Sequence, residues 1–212
     1  MLPPHRHESQ LDSPLELKPL PHNQSWSGKI AYLDRDGVLN RWSDNYVNSP
    51  EEVEILPNSG ESVARLRRHG FRICVVTNQS PIGRGLWGHD TLELIHKEIE
   101  NQLLEEDIDA ILDLVLYSPY HPSENSWARK PNPGMLEAGR QIIEASENIE
   151  QENLKIMYGP QWVERPSESS SVMVGDQISD IEAGKKFGVN AIQCDQTIGI
   201  SDVIDQIVPK RG

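Results

Sequence analysis

Residues 29–40 read KIAYLDRDGVLN. A short apolar run ends at Asp34; a second acid, Asp36, and then Gly37 follow at once. A run this short, continuous in apolar character and closed by a glycine turn, fits a strand covered on both faces, as in a parallel sheet. Two carboxylates at the mouth of such a strand are costly, because they repel each other and burial of either without a partner raises its pKa or destabilises the fold. A compensating positive charge is therefore expected nearby.

The same kind of run recurs outward from this stretch, in FRICVVTN (71–78), LDLVLYS (112–118), SVMVGD (171–176) and NAIQCD (190–195). Between these runs lie segments of helical length. NSGESVARLRRHG (58–70) opens on Asn58 or Ser59 as an N-cap and closes on Gly70, and HDTLELIHKEIENQLLEE (89–106) sets Leu92, Ile95, Ile99 and Leu103 on one face. PGMLEAGRQIIEAS (133–146) and SDIEAGKKFG (179–188) supply two more, the second stopped by Gly188. Strands alternating with helices predict an α/β fold with a doubly wound, mostly parallel sheet. In such sheets ligands bind beyond the carboxyl ends of the strands, near the point where strand order reverses.

Composition narrows the function. The 212 residues suit one α/β domain with appendages, and 33 acidic against 20 basic residues give a formal net charge of −13. A molecule so negative repels a phosphate backbone, so nucleic acid is not an expected partner. No segment has the apolar length of a membrane span or the continuous apolar core of a secretory signal, so the chain is read as cytoplasmic with no membrane partner. Cys74 and Cys194, both in strand-like runs, are read as buried reduced thiols. Residues 1–27, rich in proline and polar groups without periodicity, are read as a flexible or surface-draped tail without catalytic residues, ahead of a catalytic domain over 28–212.

The polar strand ends carry the chemistry. Asp34 and Asp36 follow the first strand, Thr77 and Asn78 the second, and Asp176 and Asp180 lie in VGDQISD (174–180) after another. A lone acidic pair before glycine is usually a solvated turn, but two such pairs at strand ends can converge on a hard divalent cation, Mg²⁺ where a phosphate shares its shell. WARKP (127–131) brings Arg129 and Lys130, whose ammonium is the compact cation the carboxylates call for. A carboxylate nucleophile, a second acid, Mg²⁺, a lysine and small hydrogen-bond donors are the parts of phosphoryl transfer through an aspartyl-phosphate.

DRDGV, TNQS, RKPNPGM and VGDQISD, in this order, resemble the four motifs of the haloacid dehalogenase-like (HAD) phosphatases. LDRDGVLN, the following YV, TNQSPIGRG and RKPNPGM resemble most the compact branch with D-glycero-D-manno-heptose 1,7-bisphosphate and histidinol-phosphate phosphatases. The resemblance spans roughly residues 29–196. It implies a HAD-like Rossmannoid fold without a large cap domain, and a Mg²⁺-dependent phosphomonoesterase acting on a small phosphorylated metabolite such as that heptose bisphosphate. Histidinol phosphate is the alternative; a polynucleotide 3′-phosphatase and a non-catalytic phosphate-binding protein rank lower. By resemblance Asp34 is the nucleophile and a metal ligand, and Asp36 is the general acid and base and a ligand through its carbonyl. Thr77 and Asn78 hold the phosphoryl group, Lys130 stabilises its charge, and Asp176 anchors Mg²⁺. Asp180 is read either as a supporting acid at the metal or as a helix-start acid, and Arg129 and Arg84 as substrate contacts.

Two departures from the family pattern stand out. Many members of the branch hold zinc in the loop before the lysine through C-x-H and C-x-C ligands. Here SPYHPSENSWARKP (118–131) puts Ser118, Tyr120, Ser126 and Ala128 at those places, and His121 alone cannot hold the ion, so no zinc is expected. Trp127 is a candidate to pack where that metal would clamp the loop, the alternative being a surface tryptophan over the following helix. The segment at about 147–170 is longer than the family's usual link and reads as an insertion near the active-site edge or a self-association element, although a monomer is favoured.

Overall fold

The structure, a computed structural model, describes residues 2–148 and 154–209. In chain order its elements include β1 (His5–Arg6), β2 (Ile30–Leu33), α1 (Ser59–Arg68), β3 (Arg72–Asn78), α2 (Ser80–Gly83), α3 (His89–Glu106), β4 (Leu114–Ser118), α4 (Gly134–Glu147), β5 (Val172–Gly175), α5 (Ile178–Phe187), β6 (Asn190–Gln193) and α6 (Ile204–Ile207). The sheet order is β1-β4-β3-β2-β5-β6, parallel throughout except for β1. The chain builds one side of the sheet from β2 through β3 to β4, then crosses to β5 and β6 on the other. The order thus reverses between β2 and β5, and the sheet is doubly wound, as the alternation of runs predicts. Among the described residues no large cap domain stands over the sheet.

The apolar runs divide by parity. Ala31, Leu33, Ile73, Val75, Val115 and Val174 face one core with Ile95, Ile99 and Leu103 of α3. Ile30, Tyr32, Cys74, Val76, Leu116 and Met173 face the other with Leu136, Ile142 and Ile143 of α4. Alternate residues of one strand thus bury into opposite layers, which is why the strands read as continuous apolar runs. Each buried Val, Leu, Ile or Met among them contributes about 1.5–3 kcal/mol by leaving water. Both cysteines are buried and unpaired.

Helix ends follow the expected signals with one difference. Gly70 (φ +81°) and Gly188 (φ +96°) stop their helices in the left-handed region. Asn58 is the N-cap of α1, but its side chain caps nothing. The Gly60 N–H donates instead to Glu106 of α3 at 2.7 Å, so a neighbouring helix supplies the acceptor.

The N-terminal segment is draped across the domain and anchored. β1 pairs antiparallel with the β4 edge, His5 opposite Tyr117 and Arg6 opposite Leu116, and Leu15 and Leu20 are buried. Such an addition needs little periodicity, because the sheet edge supplies the hydrogen-bond partners. Of the insertion expected at 147–170, residues 149–153 lie outside the described residues. The remainder packs on α4 and α5: the Gly159 N–H donates to Glu137, and Trp162 stacks on Phe187 with ring centroids 6.2 Å apart. Among the described residues no helix is long and apolar enough to cross a membrane.

Candidate active site

The strand ends meet where the strand order reverses. The Asp34 N–H donates to the Val174 carbonyl at 2.9 Å, which continues the β2–β5 ladder and brings the loop carrying Asp34 and Asp36 beside the one carrying Asp176. The loops after β3 and β4 complete an open cleft of about 320 Å³. Asp34, Asp36, Thr77, Asn78, Arg84, Arg129, Lys130, Asp176 and Asp180 all line it, although they come from five separate stretches of chain.

The positive charge that the first acidic pair required comes in two parts, Lys130 for Asp34 and Arg35 for Asp36. The buried Lys130 Nζ lies 2.8 Å from Asp34 and 2.6 Å from Asp180. Asp180 does two things: its Oδ1 meets Lys130, and its Oδ2 accepts from the Gln177 N–H at 3.0 Å and so caps α5. A Cβ on Gly175 would lie 2.1 Å from the Asp180 Cβ, so glycine is required for this acid to fold back under the loop.

The acids differ in proton affinity. Burial pushes the Asp34 carboxyl up to about 7; Lys130 opposes this, while the charges of Asp180 and Asp36 add to it. Burial works against the ammonium of Lys130, but Asp180 and Asp34 outweigh it and raise its pKa. Burial also raises Asp176. For Asp36 burial is outweighed by Arg35, Asn40 and Gln79, which hold its carboxyl below the usual range. Arg35 donates to both Asp36 oxygens, at 2.8 and 2.9 Å through Nη2, while Asn40 Nδ2 and Gln79 Nε2 each donate at 2.9 Å.

This arrangement fits a divalent cation. Carboxylate oxygens of Asp34, Asp176 and Asp180 lie within 4.8 Å of one another, with the Lys130 ammonium against two of them. Asp176 Oδ1 is buried without a hydrogen-bond partner, an orphaned acceptor on one of the three clustered acids. Hard oxygen donors alone favour Mg²⁺ over softer metals.

Other singled-out residues take less obvious positions. The Thr77 hydroxyl accepts from Gln79 Nε2 at 2.8 Å. The Asn78 carboxamide is engaged with Lys130, donating to its carbonyl and accepting from its N–H, both at 3.1 Å. Arg129 is half-buried and Arg84 exposed, and both reach the mouth of the cleft. Of the positions compared with zinc ligands, Ser118 is fully buried, Tyr120 and Ser126 bond to the N-terminal segment, and Ala128 is buried. Trp127 donates its Nε1–H to Glu137 at 2.7 Å. Arg35 and Gln79 carry structure in the site yet were not singled out as site residues. Each lies inside a quoted motif, and no local pattern distinguishes a side chain that turns inward to an acid from one that is solvated.

A model of the family described as HAD-hydrolase-like matches residues 127–198. A D-glycero-beta-D-manno-heptose-1,7-bisphosphate 7-phosphatase of Pseudomonas aeruginosa is 35% identical over 159 residues, 75% of this chain and 76% of that protein. The chain belongs to the HAD-like phosphatases. The D-glycero-alpha-D-manno-heptose-1,7-bisphosphate 7-phosphatase of Photorhabdus laumondii is 32% identical over 168 residues, covering 76% of this chain and 79% of its own length. Among solved structures, the D,D-heptose 1,7-bisphosphate phosphatase of B. bronchiseptica, crystallised with magnesium and phosphate, superposes with a TM-score of 0.64 at 25% identity over 86% of this chain and 99% of that one. This HAD-like phosphatase therefore shares its fold with an enzyme that holds Mg²⁺ and phosphate together.

Proposed function

We propose that the chain removes one phosphate from a sugar bisphosphate of the D-glycero-D-manno-heptose 1,7-bisphosphate type, through an aspartyl-phosphate on Asp34. The observation that carries the substrate class is the pairing of an inner cationic pocket with an outer one. Lys130 is buried against Asp34 and Asp180 in the cleft, while half-buried Arg129 and exposed Arg84 add two guanidinium groups to its lining. A second phosphate on the substrate would pair with these guanidinium groups, and an acidic protein offers such an anion few other places to bind. Relatives named for both anomers of the heptose bisphosphate support the same class.

An Asp34 oxygen attacks the phosphorus in line with the sugar oxygen, the P–O bond to the sugar breaks, and Asp36 gives the leaving alkoxide its proton. Arrival of an anionic phosphate raises the proton affinity of Asp36, which Arg35, Asn40 and Gln79 otherwise keep ionised. Asp36 then accepts a proton from water, whose oxygen attacks the phosphorus of the aspartyl-phosphate and releases inorganic phosphate with Asp34 restored. Lys130 and the Thr77 hydroxyl stabilise the transferring oxygens, and Asn78 holds the Lys130 main chain in place. Asp34, Asp176 and the Asp36 carbonyl would hold Mg²⁺, which when bound neutralises charge on the transferring phosphoryl group. Both side-chain oxygens of Asp180 are already engaged, so it acts through Lys130. In this reading the protein needs no zinc and works on a soluble small metabolite in the cytoplasm.

The deciding experiment measures phosphate release across both anomers of the heptose 1,7-bisphosphate, fructose 1,6-bisphosphate, histidinol phosphate and a 3′-phosphorylated oligonucleotide. A kcat/KM highest for a heptose bisphosphate is expected; a preference for histidinol phosphate would overturn the substrate assignment.

A further inference from the structure

The loop between β4 and α4 carries Arg129 and Lys130 into the cleft, and part of the N-terminal segment is fastened to it. β1 lies along β4, and the His7 N–H donates to the Val115 carbonyl at 3.0 Å. Just before β1, the Leu2 and Pro3 carbonyls each accept a hydrogen bond from the loop. Ser126 Oγ donates to Leu2 at 3.1 Å, and the Tyr120 hydroxyl donates to Pro3 at 2.7 Å.

These two loop residues also hold Arg129. The Tyr120 carbonyl accepts from Arg129 Nη1 at 3.2 Å, and the Ser126 carbonyl accepts from the Arg129 N–H at 3.1 Å. Ser126 Oγ further accepts from the Ala128 N–H at 3.2 Å. The arm therefore touches the two residues that fix both ends of the arginine, through two bonds from loop hydroxyls to arm carbonyls and a further contact of the Tyr120 hydroxyl with His5 Nε2 at 3.4 Å. On the far side, the loop's Pro119 carbonyl accepts from the Gly83 N–H at 3.0 Å, where a Cβ would lie only 2.5 Å away. The loop is wedged between the arm and the turn that precedes Arg84.

We propose that residues 2–7 are a positioning element of the active site: an intramolecular strap that holds the 118–130 loop so that Arg129 meets the phosphate of the substrate that is not being transferred. The strap sets recognition of the distal anion and leaves the chemistry at Asp34 alone, because Lys130 is held independently by Asn78, Asp34 and Asp180. The proposal rests on Arg129 being a substrate contact. It assigns to a segment without catalytic motifs the job of fixing a loop whose own residues bond to it mainly through one hydroxyl each.

Two variants of the full chain test it from opposite sides. Tyr120→Phe with Ser126→Ala removes the loop's bonds to the arm, and His7→Pro removes an arm N–H from the β4 edge without altering the loop. Each is assayed for KM and kcat on the heptose 1,7-bisphosphate and on p-nitrophenyl phosphate, which has no second phosphate. Amide hydrogen exchange at residues 126–130 is measured in parallel. Expected are a three- to tenfold rise in KM for the bisphosphate, kcat within about twofold, unchanged kinetics on p-nitrophenyl phosphate, and faster exchange at Arg129 in both variants, with Ala128 counted only in His7→Pro because Ser126→Ala removes its acceptor. Unchanged KM and exchange in both variants would overturn the proposal. So would an equal loss on both substrates that tracks a lowered melting temperature, since that is the mark of a merely structural role. Arg129→Ala separates the two readings. If it leaves KM for the bisphosphate unchanged, Arg129 is not the distal contact and the recognition role of the strap falls with it. If it raises KM while the strap variants do not, only the strap is refuted.

Discussion

A Cβ built on Gly37 would lie 2.7 Å from the Cγ of Asp176, so the glycine that closes the first acidic motif is the surface against which the acid of the last motif rests. Gly37 also sits at φ +81°, where any side chain is strained. Two independent constraints thus demand glycine at one position. Gly37→Ala is expected to displace Asp176 and raise the Mg²⁺ concentration for half-maximal phosphate release by about tenfold or more, the scale seen when the support of a metal ligand is lost. A Mg²⁺ titration of the variant superimposable on the parent's would refute this.

Asp34 and Asp36 lie two residues apart and are expected to fail differently. Asp34→Asn removes the nucleophile and should lower kcat by about 10³-fold or more on every substrate, since no second group takes over covalent transfer. Asp36→Asn should lower kcat by about 10²–10⁴-fold, the span of general acid catalysis, and least for p-nitrophenyl phosphate, whose leaving group needs no proton. Equal losses on the sugar and the nitrophenyl ester would argue against Asp36 as the acid.

Away from the site, Asp113 is fully buried between Arg67 at 2.6 Å and Arg72 at 2.9 Å, and its Oδ2 also accepts from the Ile73 N–H. Removing one member of such a cluster leaves an uncompensated charge, so Asp113→Ala should cost about 3–5 kcal/mol in urea denaturation. A loss below about 1 kcal/mol would show that the acceptors the arginines already have, Glu147 and the Lys18 carbonyl for Arg72 and the Pro19 carbonyl for Arg67, suffice without Asp113.

Burial, with repulsion from Glu8, raises the Glu100 carboxyl to about 7, and Lys97 lessens the effect. The folded state therefore holds a proton that the unfolded chain has released above its ordinary pKa of 4.5. Stability from this group is present at low pH and is lost as pH rises from about 4.5 through about 7. Glu100→Gln should therefore gain stability relative to the parent between pH 5 and pH 8. Melting curves of the two proteins that shift in parallel with pH would contradict the assignment.

The four motifs were legible because each is local: an apolar run that must be buried, followed by polar residues where the run stops. Helix faces such as Leu92, Ile95, Ile99 and Leu103 were legible for the same reason. Asn58 shows the limit, since the acceptor at the start of α1 comes from Glu106, 46 residues away from Gly60 in sequence. β1 shows another, because pairing with an edge rewards backbone groups that every residue possesses.

By itself the sequence determined the alternation of strands and helices, the doubly wound class and the list of polar groups at the strand ends. These depend on hydrophobic period and turn chemistry within a few residues. Tertiary structure alone decided how those groups are employed. Strand order sets Asp34 beside Asp176, a turn of α5 puts Asp180 under Lys130, and Asp36 is held ionised by an arginine next to it in the chain. The anchoring of the 118–130 loop by residues 2–7 is likewise a contact between segments more than a hundred residues apart. Burial can be read from a local pattern, but the partner of a buried charge or an edge hydrogen bond is chosen by packing, which no local pattern encodes.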